Sequence, residues 1–505
     1  MSLIQTKEIK TTQQYPILIV LIIAMLAVAP IFASKYPPCV DIPQHAAQIA
    51  LFKGIISSSN PFGYLFSIHW FTPYLFGYGL IAIFNIFFSI ILATKITIAL
   101  SLLLIPYTTA LLLAENDSEP YYALFTIPAL YGFLFNWGFL NFIVAAPIGL
   151  IFFLYTIKYT KYPTNKTAII IAASANILFF CHALIWFYFA TISSIYIAMT
   201  FKKINTALVK TIPILSSLPI AAFWFINNIL TRKEQTHGMG HAIIWNQGLA
   251  RLDIFPLIFG SQELVPNLAI SACIIALPML MGGRFTKKPT RWLPLITTLL
   301  IILFAPHAIF DVAFIYQRYA IFVVPFLLLT LDKPITKPKN FNAAKMASAA
   351  FIILTTVNQY FIMSGFKNET RDFDLTLKHM QPAQRVLSLI FMRNSYFSSA
   401  PVYLHFPLWY QAQKNGLVEY NFANSYIMPL QYKENNVPAN VPGREWSPQL
   451  FDWNTLHGEQ YEYFLIRSPI NPGLYVFKNN INKVILLNHS GTWWLFEKNK
   501  AIYSN

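Results

Sequence analysis

The sequence predicts a polytopic α-helical membrane protein with about eleven transmembrane helices, a re-entrant element and a C-terminal exterior α+β domain. Hydrophobic residues make up 56% of the 505 positions and charged residues 11%, whereas charged residues reach about 25% in soluble domains. Long apolar runs recur through residues 1–364 and stop in residues 365–505, where Pro, Asn, Tyr and mixed charges become frequent. We therefore expect a transmembrane domain over 1–364 and a second domain over 365–505.

The net charge and the cysteine content exclude two further classes of protein. The formal net charge is +16, but the basic residues lie in short clusters between apolar runs. This arrangement is a topology signal of membrane proteins, and it does not form a nucleic-acid-binding surface. The three cysteines, Cys39, Cys181 and Cys273, are scattered along the chain. We expect no nucleic-acid partner, no disulfide framework and no zinc site.

The first apolar segment, residues 16–34, predicts an uncleaved helix whose N-terminus is cytoplasmic. It follows Lys7 and Lys10 and lacks a small-residue cleavage pattern. The loop after it, residues 35–70, is then exterior. Further apolar segments are near the length that crosses a hydrocarbon core of about 30 Å. They are 71–92, 95–114, 141–157, 167–181, 183–200, 208–230, 266–282, 291–306, 317–331 and 344–362.

Clusters of basic residues predict the orientation of these segments. By the positive-inside rule the clusters are cytoplasmic, and the acidic residues Glu115, Asp117 and Glu119 belong to a loop on the opposite face. The basic clusters are Lys158, Lys161 and Lys166; Lys202, Lys203 and Lys210; Arg284, Lys287, Lys288 and Arg291; and Lys333, Lys337, Lys339 and Lys345. The predicted exterior loops are 35–70, 115–121, 231–265 and 307–316.

The segment YALFTIPALYGFLFNWGFL, residues 122–140, does not fit this alternation. If it were a full span, the Lys158 cluster would be exterior, against the positive-inside rule. We predict a re-entrant or broken helical element that packs within protein, where irregular backbone is tolerated. Eleven crossings result, and the C-terminal domain is exterior.

The second domain contains short stretches typical of β-strands. They are EYFLIRS (462–468), KVILLNH (483–489) and TWWLFEK (492–498). Together with the mixed composition they indicate an α+β domain large enough to form its own core.

The stretch CVDIPQHAAQIALFKG, residues 39–54, holds the first candidate site. Asp41 and Gln44 fit a capping box, with Pro43 in the first helical turn. Alternatively, Asp41 and His45 are four residues apart, so a helix that begins near Ile42 brings them together. The pair would then share a metal, or the carboxylate would orient the imidazole. The two hypotheses are compatible, because a cap also positions its carboxylate.

The segment AAQIALFKGI, residues 46–55, also allows two interpretations. Its apolar residues are interrupted by Gln48 and Lys53, which suits a helix that lies along the membrane surface. An ordinary loop helix that packs on its neighbours fits equally well.

Other ionisable residues near the exterior face are further candidates, because such groups are costly in a membrane. Arg318 is either a snorkelling or ion-paired arginine, with Asp311 as partner, or a phosphate ligand. His182 is either a polar contact between helices or a substrate-binding residue. Arg251, in loop 231–265, and Asp311 are also candidate substrate-binding residues. The histidines in THGMGH, residues 236–241, lack acidic or cysteine partners at a metal-binding spacing.

The succession of an N-in helix, a long exterior loop with an acidic motif, further spans and an exterior C-terminal domain resembles the GT-C superfamily of membrane glycosyltransferases. DIPQHAAQIALFKG (41–54), NWGFLNFIVAAPIGL (136–150) and the Asp311–Arg318 turn resemble a bacterial branch of it. YEYFLIRS and GTWWLFEK near the C-terminus also resemble that branch. Protein O-mannosyltransferases and aminoarabinose transferases belong to the same superfamily.

The resemblance implies a glycosyltransferase of the bacterial inner membrane. It transfers a sugar from a polyprenyl-phosphate-linked donor to an envelope glycan, lipid or protein on the outer face. The acidic hallmark of the first exterior loop falls on Asp41, with His45 assisting and Arg318 on the donor phosphate. Many members carry two acids in that loop, and Cys39 stands where the first would be, so the residues leave a Mg or Mn ion at Asp41 and His45 as an open expectation. The competing hypotheses are a transporter or flippase for a lipid-linked glycan and a catalytically inactive scaffold of the same fold.

Overall fold

The computed structural model describes residues 2–201, 203–230, 243–245, 249–309, 312–425, 427–438 and 444–502. Helices dominate the first 370 positions, and a β-sheet lies near the C-terminus. The α-helices are α1 (Ser2–Val28), α2 (Ile42–Ile56), α3 (Leu75–Phe87), α4 (Ile90–Glu115), α5 (Phe133–Trp137), α6 (Leu140–Lys161), α7 (Asn165–Cys181), α8 (Ala183–Thr200), α9 (Ile204–Leu215), α10 (Leu218–Leu230), α11 (Phe255–Phe259), α12 (Leu264–Leu280), α13 (Pro289–Phe304), α14 (Val323–Leu329), α15 (Phe341–Glu369), α16 (Arg371–Lys378), α17 (Leu408–Lys414) and α18 (Gly473–Val476).

The strands form one five-stranded sheet and three small two-stranded pairs. They are β1 (Phe66–Ile68), β2 (Ile243–Ile244), β3 (Arg284–Phe285), β4 (Ala308–Ile309), β5 (Leu331–Asp332), β6 (Arg385–Ile390), β7 (Leu417–Val418), β8 (Leu430–Tyr432), β9 (Tyr463–Arg467), β10 (Val484–Ser490) and β11 (Trp493–Lys498). The large sheet has the order β10-β11-β9-β6-β7, in which β6 runs parallel to β7 and β9. The three stretches that the sequence predicted as strands are β9, β10 and β11. β9 is buried along its whole length, because it lies in the middle of the sheet.

Five described helical spans are long and apolar enough to cross a membrane, or six if the bent pair α9–α10 counts as one. They are residues 14–32, α4, α6, α8 and the helix that begins at Phe341. Shorter apolar helices, α3, α7, α12, α13 and the helical segment Tyr316–Leu329, accompany them. Each apolar segment predicted from the sequence overlaps one of these helices. The chain is therefore an integral membrane protein in composition and in fold.

The loop after α4 lies at the same end of the helix bundle as the basic residues. Lys161 Nζ lies 3.0 Å from Glu115 Oε1, and the buried Arg291 donates to the Asn116 carbonyl at 3.2 Å. The prediction that loop 115–121 lies on the face opposite the basic clusters is therefore wrong. Glu115 pairs with Lys161 at the same end. We call this the basic end of the bundle, and the end that holds Asp41 the site end.

Residues 120–137 run from the basic end to the site end. They begin as the 3₁₀-helix Pro120–Ala129 and end in α5. Between these elements, the Tyr131 hydroxyl donates a hydrogen bond to the Ala27 carbonyl at 2.8 Å. The backbone carbonyl of Trp137, at the end of α5, accepts a hydrogen bond from the Asp41 amide at 2.9 Å. The predicted element at 122–140 is thus broken and buried, as expected, but its path crosses the bundle and does not turn back.

Helix α3 stays at the site end. The Tyr78 hydroxyl, in its first turn, lies 2.7 Å from His45 Nδ1. Asn85 and Ser89, at its other end, line a cavity together with Lys53 of α2. The prediction that segment 71–92 is a crossing is therefore wrong. Segment 71–92 is therefore not a crossing of the bundle, whereas residues 120–137 are.

Helix α2 is buried between the bundle and the C-terminal region. Residues 42–49 are all buried, including the polar Gln44 and Gln48. Helix α17 packs directly against α2. Of the two interpretations of this segment, the structure supports the helix packed on its neighbours, since the C-terminal region covers the face that would meet a membrane surface.

The C-terminal region contacts the site end of the bundle through aromatic rings and charges. The Tyr36 ring lies 5.2 Å from Phe406 and 5.1 Å from Trp409, measured between centroids. Lys35 Nζ lies 2.7 Å from Asp374 Oδ1. These contacts are next to Asp41 in the chain, so the C-terminal region forms part of the wall around it.

Candidate active site

Asp41 is held in place by the C-terminus of α5. The last carbonyls of a helix have no partner within it, and here the Asn136 and Trp137 carbonyls accept from the Val40 and Asp41 amides at 3.0 and 2.9 Å. Gly138 ends α5 with φ +74°, and a Cβ there would lie 2.9–3.1 Å from Ile42 and from the Asp41 amide. A glycine is required at this close approach, because it tolerates the left-handed conformation and has no side chain.

The Asp41 side chain does not cap α2. The helix begins at Ile42, as predicted, but Asp41 makes no side-chain cap bond. Gln44 Oε1 instead accepts from the Phe422 amide at 2.9 Å. The capping-box interpretation is therefore wrong, since both side chains turn toward the C-terminal region.

The partner of Asp41 is His405, which lies 364 positions further along the chain. His405 Nδ1 donates to Asp41 Oδ1 at 3.0 Å, and Nε2 forms a close hydrogen bond to Glu445 Oε1. The Tyr420 ring stacks on the imidazole, with centroids 5.7 Å apart and an interplanar angle of 18°. His405 is 5% exposed. One imidazole thus bridges two carboxylates inside the protein.

The charges of this cluster set its protonation. Burial lowers the pKa of His405, but the neighbouring Glu445 and Asp41 outweigh it and raise that pKa to about 10. Burial raises the pKa of Asp41, while the hydrogen bond and charge of His405 and the charge of Arg318 oppose that rise. We conclude that His405 is an imidazolium at neutral pH, because the two neighbouring acidic side chains favour its charged form.

The recorded contacts of His45 are with residues other than Asp41. Its Nδ1 lies 2.7 Å from the Tyr78 hydroxyl, and its ring packs edge-on against Phe422 with centroids 5.6 Å apart. Burial, followed by the charges of His405 and Arg318, lowers the pKa of His45 to about 3. His45 is thus a neutral imidazole beside the site. The Asp41 carboxylate is hydrogen-bonded to His405 instead.

Arg318 lies across the cavity from the C-terminal region. Its guanidinium donates to the Ala313 and Phe314 carbonyls at 2.9 and 3.3 Å and stacks on the Phe139 ring at 3.9 Å from the centroid. Asp311, the predicted ion-pair partner, lies outside the described residues. The guanidinium is held by backbone and aromatic contacts at the wall of a cavity, and it does not extend to a membrane surface.

His182 stands beside Arg318 at the start of α8. Its Nδ1 accepts from the Leu184 amide at 3.2 Å, so the ring proton of the neutral imidazole is on Nε2. Nε2 lies 3.4 Å from the Tyr74 hydroxyl, and that hydroxyl also interacts with Arg318. Tyr74 therefore joins the histidine to the arginine.

A cavity of about 770 Å³ brings these residues together. One wall comes from the bundle and the other from the C-terminal region. The bundle side is lined by Asp41, His45, Tyr74, Trp137, Phe139, Asn141, His182 and Arg318, and the other side by His405, Tyr420, Asn424, Gln431, Glu434, Glu445 and Trp446. Aromatic faces, hydrogen-bonding groups and an arginine thus surround one buried carboxylate.

Arg251, a further candidate, is not among the residues that line this cavity. It donates to the Leu303 carbonyl at 2.9 Å and lies over the Tyr316 ring at 4.6 Å. It packs α13 against the helical segment that carries Arg318. His237 and His241 lie outside the described residues.

The described residues do not form a metal site at Asp41. Among them, no group of three or more His, Cys, Asp or Glu side chains is placed to hold an ion. Asp41 and Glu445 bind opposite nitrogens of His405, so their oxygens point at the ring and not at a common centre. His45 Nδ1 is engaged with Tyr78. The recorded contacts of these donors form a hydrogen-bonded network, and a Mg or Mn ion at Asp41 and His45 stays a prediction.

Sequence reasoning named Asp41, Arg318 and His182, which line this cavity, but it did not name His405 and Glu445, which also line it. The local signal at His405 is weak, because it stands in the aromatic run VYLHFPLWYQ, which reads as core. Glu445 lies in a loop of mixed composition after several prolines. Only a long-range contact assigns either residue to the site.

Comparison with known proteins gives a match in fold. No family model matches the sequence, and neither does any curated protein. Two solved structures of ArnT from Cupriavidus metallidurans are similar, one bound to undecaprenyl phosphate and one in the apo state. Both have a TM-score of 0.50 at 10% identity. The match covers 95% of this chain and 97% of the bound structure, or 96% of this chain and 98% of the apo structure. The chain thus shares the overall fold of ArnT, which agrees with the fold that the resemblance in the sequence implies.

Proposed function

We propose that the chain is an integral-membrane glycosyltransferase that moves a sugar from a polyprenyl-phosphate-linked donor to an acceptor hydroxyl. The observation that carries the proposal is the buried Asp41 carboxylate in a cavity of about 770 Å³ that Arg318 also lines, on a chain with the fold of ArnT. The acceptor is an envelope glycan, lipid or protein.

Asp41 is the group that takes the acceptor proton. The acceptor oxygen bonds to C1 of the donor sugar as the C1–O bond to phosphate breaks, and the hydroxyl proton passes to Asp41. His405 occupies Oδ1, which leaves Oδ2 for the acceptor. A carboxylate whose pKa is raised by burial is a better base than one in water, because proton transfer improves as the pKa approaches the working pH.

Arg318 is the group that receives the leaving phosphate. The electron pair of the broken bond leaves with the polyprenyl phosphate, whose charge increases. A planar guanidinium fixed by the Ala313 and Phe314 carbonyls meets that charge without reorganisation. The Tyr74 hydroxyl and the His182 Nε2–H, next to it, supply further hydrogen-bond donors.

The geometry of the bundle supports an active site at the exterior face of a bacterial inner membrane. The basic residues that pair with loop 115–121 mark one end, and Asp41 lies at the other. The positive-inside rule then makes the basic end cytoplasmic. A lipid-linked donor suits this position, since its tail remains in the bilayer while its sugar reaches the cavity.

The test is a transfer assay with the purified full chain in lipid nanodiscs. A panel of polyprenyl-phosphate sugars is supplied with envelope glycan, lipid and peptide acceptors, and both the new glycoside and the released polyprenyl phosphate are measured. We expect equal amounts of the two products from at least one donor. A chain that moves an intact lipid-linked glycan across a vesicle membrane without cleaving it is a transporter, and that result contradicts the proposal.

A further inference from the structure

We propose that His405, backed by Glu445, is a positioning residue that holds the catalytic Asp41 ionised and oriented. This inference rests on the proposed function and extends it to the C-terminal region, from which both residues come. Three observations support it: the geometry of the bridge, the balance of charge around Asp41 and the anchoring of the His405 segment.

The bridge fixes the imidazole on every side. Nδ1 and Nε2 are both engaged by carboxylates, Tyr420 stacks on one face, and Phe422 meets the ring edge-on with centroids 5.5 Å apart. A side chain held in this way points its N–H at Asp41 in a single direction. The free Asp41 oxygen is then fixed in direction too, as a base that must meet a hydroxyl requires.

The charges around Asp41 balance only when His405 is counted. The charged groups that act on Asp41 are Arg318, His405 and Glu445, and the nearby His45 and Tyr420 are neutral at pH 7. Two carboxylates therefore face two cations. Without the imidazolium, a carboxylate this buried takes up a proton, because desolvation disfavours its charged form. A protonated Asp41 is too weak a base to take the hydroxyl proton.

The segment that carries His405 is anchored to the loop that carries Asp41. Phe406, directly after His405, contacts Tyr36 with centroids 5.2 Å apart. The Tyr403 amide, on the other side, donates to the Arg393 carbonyl at 3.0 Å. A loosely attached domain would not hold a hydrogen bond between residues 364 positions apart, so this packing makes the bridge a fixed part of the site.

A purely structural ion pair and a positioning residue differ in their effect on the pH profile. If the bridge only stabilises the fold, its loss lowers activity by the same factor at every pH. If it keeps Asp41 ionised, its loss raises the pKa of Asp41. Activity requires the carboxylate, so it is lost as pH falls through that pKa, and the acid limb of kcat/KM moves to higher pH.

His405→Asn is the informative variant. The asparagine amide stands near the former Nδ1 and still donates to Asp41, but it carries no charge. We expect the acid limb to move up by about 1 to 2 pH units, as the loss of an adjacent opposite charge predicts, with activity recovering at alkaline pH. The matched control is His457→Asn, at an exposed histidine paired with Glu459 at 3.4 Å, which should leave the profile unchanged.

Glu445→Gln tests the same bridge with the opposite sign. Glu445 raises the pKa of Asp41 through its negative charge, and at acid pH His405 keeps its proton without it. The acid limb should therefore stay in place or move to lower pH, whereas His405→Asn moves it up. The control is Glu459→Gln at the exposed pair.

A second measurement does not depend on turnover. Infrared titration of the full chain in nanodiscs follows the carboxylate band that Asp41→Asn removes, and this band should titrate at higher pH in His405→Asn. If the wild-type chain transfers no sugar, the proposed function fails and the titration still tests the bridge. Parallel, pH-independent losses in both variants, or an Asp41 band that titrates unchanged in a folded His405→Asn chain, overturn the inference.

Discussion

Asp41→Asn separates a structural aspartate from a catalytic one with little change in shape. Aspartate and asparagine cap helices about equally well, and Asp41 makes no side-chain cap bond in any case. The asparagine Oδ1 can still accept from His405 Nδ1, and His405 keeps its pairing with Glu445. The change therefore removes one negative charge from the cavity and leaves most of the packing in place.

The expected effects on stability and on rate differ. A hydrogen bond to a charged group contributes about 1.5–3 kcal/mol, and a part of it remains, so we expect a loss of folding free energy of about 1 kcal/mol. The rate depends on proton transfer to Asp41, which the amide cannot accept. Loss of a general base costs about 10²-fold or more, which corresponds to about 3 kcal/mol of transition-state free energy.

The assay measures glycoside formation at saturating donor, with thermal unfolding of the same samples as a check on folding. The control is Asp452→Asn, because Asp452 is exposed and does bond backbone amides, those of Asn454 and Thr455 at 3.1 and 2.8 Å. It should retain the parental rate. If a folded Asp41→Asn chain also transfers sugar near the parental rate, Asp41 is not the base and the proposed mechanism is wrong.

Three further predictions follow from the same geometry. Arg318→Lys keeps the charge but loses the planar fork, so KM for the lipid donor should rise about tenfold with an unchanged melting temperature; an unchanged KM would leave the arginine a packing role. Gly138→Ala forces a side chain into the left-handed conformation next to the Asp41 loop, and it should cost about 1–3 kcal/mol of folding free energy, seen as a lower melting temperature. A topology reporter at Asp117 should give the same cytoplasmic signal as one at Thr164, and the opposite of one at Asn435; an exterior signal at Asp117 would contradict the position of the acidic loop.

Much of the fold was predictable because apolar length and basic clusters are local properties of the sequence. The path of residues 120–137 was not, since a broken 3₁₀ segment has no helical period and its length suits either a crossing or a return. The acidic loop was misassigned for a related reason. The positive-inside rule counts Lys and Arg, and acidic residues such as Glu115 contribute little to topology; Glu115 in fact lies beside Lys161.

The candidate site divides in the same way. Asp41 and Arg318 are visible in the sequence because each is a charged group in an otherwise apolar stretch. His405 became visible only through its contact with Asp41, across 364 positions. No local pattern encodes that contact, because the hydrogen bond depends on how residues 371–502 pack against the bundle.

The balance of charge in the cavity explains why the C-terminal region should belong to the catalytic unit. Asp41 comes from the first loop, Arg318 from the bundle, and His405 and Glu445 from the C-terminal region. Each of these groups is costly to bury alone, and the charges of the four cancel as a set. Separation of the C-terminal region would remove the imidazolium and uncover the cavity, leaving Asp41 with Arg318 as its nearest counter-charge. A fold in which catalysis and domain packing share the same hydrogen bond keeps its base ionised and oriented while the site is closed to water.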